Sequence, residues 1–103
     1  MKVAVASMQN EEGGEVSVQA GRAPYFLIYD ETGELLETVS NPFAVGGGGA
    51  GFGAAKMLAD REVTLVVAGK FGGNMEGALE QRGVEWVEFS GSVADGLQAA
   101  LNR

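Results

Sequence analysis

The chain has 103 residues, 46% hydrophobic and 20% charged, which sets one domain, residues 1 to 103, around a single core with little to spare. Fourteen acidic against seven basic residues leave a net charge of -7, which argues against nucleic acid and anionic membranes as partners. The absence of cysteine and histidine excludes disulfides, thiolate-held zinc or iron–sulfur sites, and imidazole acid–base chemistry.

"KVAVAS" (2 to 7) is a short run of β-branched and small residues that predicts a buried strand. Too few apolar residues precede "MQNEEGG" for a signal-peptide core, so a cytoplasmic location is expected, and no stretch approaches the roughly 20 apolar residues of a membrane span. Residues 8 to 23 read as a loop or ragged hairpin turning at Gly13-Gly14. "YFLIYDETGELLETVS" predicts a β-hairpin in which Gly33 supplies a positive φ. After "NPFAVGGGGAG", Phe52, Ala55, Leu58 and Ala59 recur at helical spacing to about Arg61. "VTLVVAG" (63 to 69) is apolar enough for a strand buried on both faces of a parallel sheet. "NMEGALEQRG" predicts a helix with Asn74 as its cap and Gly83 as its stop. "VEWVEF" reads as a partly exposed edge strand, and Ser92 with Asp95 resembles a capping box before a last helix carrying Val93, Leu97, Ala100 and Leu101 on one face.

The order β, β-hairpin, α, β, α, β, α calls for an α/β fold with right-handed parallel crossovers in its second half. If the first strand runs up, the 8 to 23 loop, the glycine run, "GKFGGN" (69 to 74) and "SGS" (90 to 92) all emerge at the top edge. That edge, at the carboxyl ends of the parallel strands, is where open α/β sheets bind ligands.

The glycine run raises a choice between close main-chain approach to a ligand and a mobile loop with none. Gly46-x-Gly48-x-x-Gly51 matches a dinucleotide fingerprint, but the strand before it is polar-patterned and no acid ends the next strand. A P-loop is excluded, because no Gly-Lys-Ser/Thr follows the run. The surviving chemistry is anion binding: flexible backbone with Gly47, Gly48, Gly49 and Gly51 leads into a helix N-terminus, and Arg22 and Lys70 lie on the same edge. Catalytic residues are not expected. The carboxylates fall in loops and turns, and Ser7, Ser90 and Ser92 have no histidine to activate them. Met8 and Met75 fall near the top edge, where thioethers are either soft metal ligands or core filling. Phe43, Phe52 and Phe71 lie in or beside the same loops, as shields for a cofactor or as covers for the sheet ends.

From "EVSVQAGRAPYFLIYD" onward the chain resembles the dinitrogenase iron–molybdenum cofactor biosynthesis domain family, which includes NifX-like proteins, the C-terminal part of NifB and the orange protein. The resemblance rests on "GRAPYF", the glycine run before a helix, and "AGKFGGN" after the apolar strand, and it spans nearly the whole chain. It implies a ribonuclease H-like three-layer α/β/α fold, with a five-stranded mixed sheet in order 3-2-1-4-5 and strand two antiparallel. It further implies a crevice between strands one and four flanked by Ser7, Met8, Gly69 and Lys70, with Gly21, Gly72 and Asn74 in the matching loops. Many relatives carry a histidine where this chain has Gln19. The implied role is non-enzymatic: binding or carrying iron–molybdenum cofactor, a precursor or another metal–sulfur cluster, held noncovalently because Gln19 is a poor metal ligand. A cluster-donor or cluster-acceptor protein is the implied partner. Two other readings stay open at this level, a regulatory interaction module without cofactor and a binder of a small oxyanion or nucleotide.

Overall fold

The computed structural model describes every residue from Met1 to Arg103. Its elements are β1 (Lys2–Ser7), β2 (Tyr25–Asp30), β3 (Leu35–Ser40), α1 (Ala50–Asp60), β4 (Leu65–Ala68), α2 (Gly73–Gln81), β5 (Glu85–Glu88) and α3 (Val93–Leu101). The strands form one mixed sheet in order β3-β2-β1-β4-β5. β2 runs antiparallel to both β1 and β3, and β4 runs parallel to both β1 and β5.

Because successive strand residues point to opposite faces, alternation sorts the apolar side chains into two cores. Ala4, Ala6, Phe26, Ile28, Val66 and Ala68 face α1 and α2. Val3, Val5, Leu27, Tyr29, Leu65 and Val67 face α3, which completes the three layers. The small Ala4 and Ala6 let α1 approach through its own alanines, Ala54 and Ala55. On the other face Gly96 brings α3 against the sheet, since a Cβ there would stand 3.2 Å from both the Phe89 ring and Val16.

Local chemistry accounts for the turns. Asp30 Oδ1 accepts hydrogen bonds from Thr32 N at 2.8 Å and Glu34 N at 3.1 Å, and Gly33 takes φ 88° in the β2–β3 hairpin. Gly83 stops α2 at φ 70°. Ser92 caps α3, its side chain accepting from Asp95 N at 3.1 Å. Asn74 does not cap α2. Gly72 holds the cap position and Asn74 lies within the helix, because burial of Phe71 and the bond from its amide to Glu88 Oε2 fix where the chain turns into α2. No helix is long and apolar enough to cross a membrane.

Candidate functional site

All three helices follow strands that run parallel to β1, so all three N-termini lie on one edge of the sheet. In an open α/β sheet the ligand crevice falls where the chain order reverses, here between β1 and β4. That position is filled. The 8 to 23 segment leaves β1, turns at residues 11 to 14, and returns so that Ser17 N donates to Ala6 O at 2.9 Å and Gly69 N donates to Ser17 O at 2.8 Å. Ala20 N then bonds Lys70 O at 3.0 Å. The chain lies so close here that a Cβ on Gly69 would stand 2.8 Å from Val18 Cα, which makes glycine obligatory at that position.

With the switch point closed, the open space lies over the α1 and α2 layer. Gly21 approaches within 3.2 Å of Gly51 Cα, and Gly51 within 3.0 Å of Met75 N, both measured from the position a Cβ would take. These two contacts draw the "GRAP" loop and the starts of α1 and α2 together around a cavity of about 690 Å³. Neither helix start carries a side-chain cap. The first three amides of each, at Ala50 to Phe52 and Gly73 to Met75, therefore have no intrahelical acceptor. Both dipole ends point their positive partial charge toward this edge.

Fifteen residues line the cavity, among them Arg22 and Lys70 and no carboxylate, in a protein of net charge -7. The Lys70 side chain is exposed and makes neither an ion pair nor a hydrogen bond within the chain. Arg22 is engaged differently from the free cation expected of it. Its guanidinium donates to Phe43 O at 3.3 Å, Gly46 O at 3.1 Å and Gly47 O at 2.7 Å. The buried Asn41 braces the same junction from beneath, donating to Gly21 O at 3.0 Å and Ala23 O at 2.9 Å and accepting from Phe43 N at 3.0 Å. Phe43 in turn lays its ring over Gly53 of α1.

The glycines here divide by cause. Gly69 is required by close backbone approach, Gly21 and Gly51 sit in tight backbone contacts that a Cβ would crowd, and Gly46 and Gly49 are favoured by φ values of 124° and 86°. Gly47, Gly48, Gly72 and Gly73 have neither reason, since a Cβ on any of them would project into open space. Three of those four, Gly48, Gly72 and Gly73, line the cavity.

Of the residues singled out in the sequence, Gln19, Gly21, Arg22, Gly48, Gly49, Gly51, Lys70, Gly72 and Asn74 come together around the cavity. Gly47 stands beside it as an acceptor for Arg22. Gly69 is spent on the plug. Ser7 is fully buried, its hydroxyl donating to Gln9 O at 2.6 Å, and does not reach the cavity. Met8 is 48% exposed but lies outside it; Met75 lines the cavity, with its side chain buried in the core beneath the floor. The loop at residues 90 to 92 shares the edge but not the cavity, being tied to the returning hairpin through Val16 N to Gly91 O at 2.9 Å and Val93 N to Gly14 O at 3.0 Å. Phe71 is buried against Trp86, with ring centroids 6.3 Å apart, while Phe52 is exposed. The sequence reading missed Asn41 and Gly73. Asn41 offered one signal, a buried-type "SNPF" turn between strand and glycine run; Gly73 was hidden by the expectation of a cap at Asn74.

No group of three or more histidine, cysteine, aspartate or glutamate side chains converges to hold a metal ion anywhere in the chain. The donors free at the cavity are main-chain N–H groups and the Lys70 ammonium, with the carbonyl-engaged Arg22 adding positive charge beside them, chemistry that fits an anion already carrying its own ligands.

The fold and this site define a small three-layer α/β domain with a glycine-lined, cationic cleft at two uncapped helix N-termini. The chain belongs to the family described as dinitrogenase iron-molybdenum cofactor, whose model matches residues 1–103. It is similar to the apo orange protein from Desulfovibrio gigas, at 27% identity and TM-score 0.90 over 98% of this chain and 87% of that one. It is also similar to a Thermotoga protein described as a NifB protein, at 30% identity and TM-score 0.80 over 98% of this chain and 86% of that one. A dinitrogenase-type protein from Methanocaldococcus jannaschii shares the fold at 16% identity and TM-score 0.67, over 99% of this chain and 88% of that one. Comparison with curated protein sequences gave no match.

Proposed function

We propose that this chain is a non-enzymatic carrier that holds an anionic metal–sulfur cluster or thiometallate in the cleft between the "GRAP" loop, the glycine run and the start of α2. The observation that carries the reading is the set of cavity-lining glycines, Gly48, Gly72 and Gly73, that no packing contact or positive φ demands. Cβ-free backbone lets cargo lie directly on main-chain amides, and two helix dipole ends with Lys70 supply the positive field. Iron–molybdenum cofactor, its precursors and related molybdenum, iron or copper sulfides share this chemistry, because sulfide fills the metal coordination sphere and leaves a net negative surface. The family description supports that class of cargo. The cleft, of about 690 Å³, has room for a multi-atom cluster as well as for a single tetrahedral thiometallate. Loading and delivery call for a donor or acceptor protein, with the exposed Val18 at the cavity wall among the surfaces such a partner meets.

The test is titration of the labelled protein with tetrathiomolybdate, alone and with Cu(I), followed by backbone amide shifts and visible absorption. Shifts are expected at residues 17 to 22, 46 to 53 and 69 to 75, and Lys70→Ala is expected to weaken binding about threefold to tenfold without changing thermal stability. Absence of any shift at saturating tetrathiomolybdate sinks the reading, and equal binding of molybdate transfers the site to small oxyanions.

A further inference from the structure

An exposed glycine run presents either its carbonyl oxygens or its amides to a ligand, and an anion is attracted by the second and repelled by the first. Gly46 and Gly47 make no backbone–backbone hydrogen bond that would decide between them. Their only hydrogen-bond partner is the Arg22 guanidinium, which gathers both carbonyls and that of Phe43. Across a planar trans peptide the C=O and the following N–H point in opposite directions. Capture of the Gly46 and Gly47 carbonyls thus turns the Gly47 and Gly48 amides away from Arg22 as a set.

We infer that Arg22 is a positioning residue which sets the polarity of the glycine loop, occupying three carbonyl oxygens that would otherwise repel an anion rather than contacting the anion itself. The geometry of the guanidinium is what qualifies it. Its rigid planar fork reaches several acceptors at once, whereas a lysine ammonium carries equal charge as a point. Arg22 has no carboxylate partner to draw it elsewhere. It is also fixed from behind: its neighbours Gly21 and Ala23 lend their carbonyls to Asn41, whose own oxygen holds Phe43 N at the base of the loop. Lys70, with no such engagement, is the cation left for cargo. The consequence for binding rests on the carrier reading given above; the consequence for the loop does not.

The two are separated by comparing wild type, Arg22→Lys, Arg22→Ala and Lys70→Ala, each checked for a cooperative melt. In the free proteins, amide signals and hydrogen exchange at residues 46 to 49 are expected to change in both Arg22 variants and to stay as wild type in Lys70→Ala. With tetrathiomolybdate, Arg22→Lys is expected to lose about tenfold in affinity, close to the loss in Arg22→Ala, the scale of one charge-assisted hydrogen bond. Wild-type loop signals together with wild-type affinity in Arg22→Lys would overturn the inference and make Arg22 a simple charge contact. If wild type itself ignores tetrathiomolybdate, the carrier reading falls, and the free-protein signals alone still decide the role of Arg22.

Discussion

The N-terminus of α3 and those of α1 and α2 sit on the same edge of one sheet, yet the chain finishes them in opposite ways. At α3 the ordinary rules of helix ends are obeyed: Ser92 caps, Asp95 places negative charge in the first turn, and the returning hairpin seals the edge with Val16 N to Gly91 O. At α1 and α2 the caps are glycines with no side chain to offer, and no side chain accepts from the first-turn amides. A folded domain gains by satisfying such donors, so leaving two adjacent sets free on one side while closing the third marks where function outranks stability. Glycine tells the same story at the level of single residues. Gly96 and Gly69 on the closed side of the edge are filled by neighbours, whereas Gly48, Gly72 and Gly73 border empty space.

The largest effect is expected where the closed region depends on backbone contact. Gly69→Ala forces a Cβ to 2.8 Å from Val18 Cα, and relief requires breaking the Gly69 to Ser17 bond that plugs the switch point. A loss of about 1–3 kcal/mol is expected in urea unfolding, the usual cost of overpacking. Gly48→Ala is the matched control, expected within about 0.5 kcal/mol of wild type because its Cβ meets nothing. Equal destabilisation by the two substitutions would erase the distinction between glycines required by packing and glycines kept for a ligand.

Next in size is an inversion of stability and binding at α2. Gly72 already has the extended φ and ψ of a cap, -78° and 157°, so Gly72→Asp can cap the helix and complement its dipole without strain. The melting temperature should rise by the equivalent of a few tenths of a kcal/mol, while tetrathiomolybdate affinity falls at least about tenfold through charge repulsion in the cleft. The same aspartate raising both stability and affinity would break the comparison outright. At the already capped helix the opposite pattern is expected. Ser92→Ala should cost about 1 kcal/mol and leave affinity unchanged, read by the same melt and titration.

The two regions also differed in how far the sequence disclosed them. The apolar strand runs, the Gly33 turn and the Ser92 cap are local chemistry, legible from short stretches alone, whereas the strand order came from the family resemblance. Asn74 misled because cap preference is a weak local prior and the burial of Phe71 overrode it. The plug at residues 16 to 20 was hidden for a different reason: "EVSVQA" alternates polar and apolar residues as a strand would, but the segment pairs through isolated bridges between distant segments, and its burial departs from the alternation, with Ser17 buried and Val18 exposed. That unseen segment is what moves the cavity off the β1–β4 crevice and leaves Ser7 and Met8 outside it. Arg22 was recognised as important but its hydrogen bonds, to carbonyls more than 20 residues away, lie beyond any local reading.

The smallest effect is expected at the opposite edge, and it tests whether the cleft is energetically independent of the rest of the sheet. Asp30 closes the β2–β3 hairpin there, and the hydrogen bond from the Thr32 side chain, followed by the amides of the turn, holds its carboxyl below the usual range. A depressed acid contributes stability that is present above its unfolded pKa, near 3.9, and is lost as pH falls through the folded value. Stability should therefore decline at the acid end of a pH series below about 4, and Asp30→Asn should flatten that limb while weakening the turn at neutral pH. Tetrathiomolybdate binding at neutral pH should be the same in both proteins, because Thr32, Glu34 and the hairpin contribute nothing to the cavity wall. A change in affinity with Asp30→Asn would mean that the cleft reads the state of the whole sheet, and the division between a sealed scaffold and an open binding edge would have to be given up.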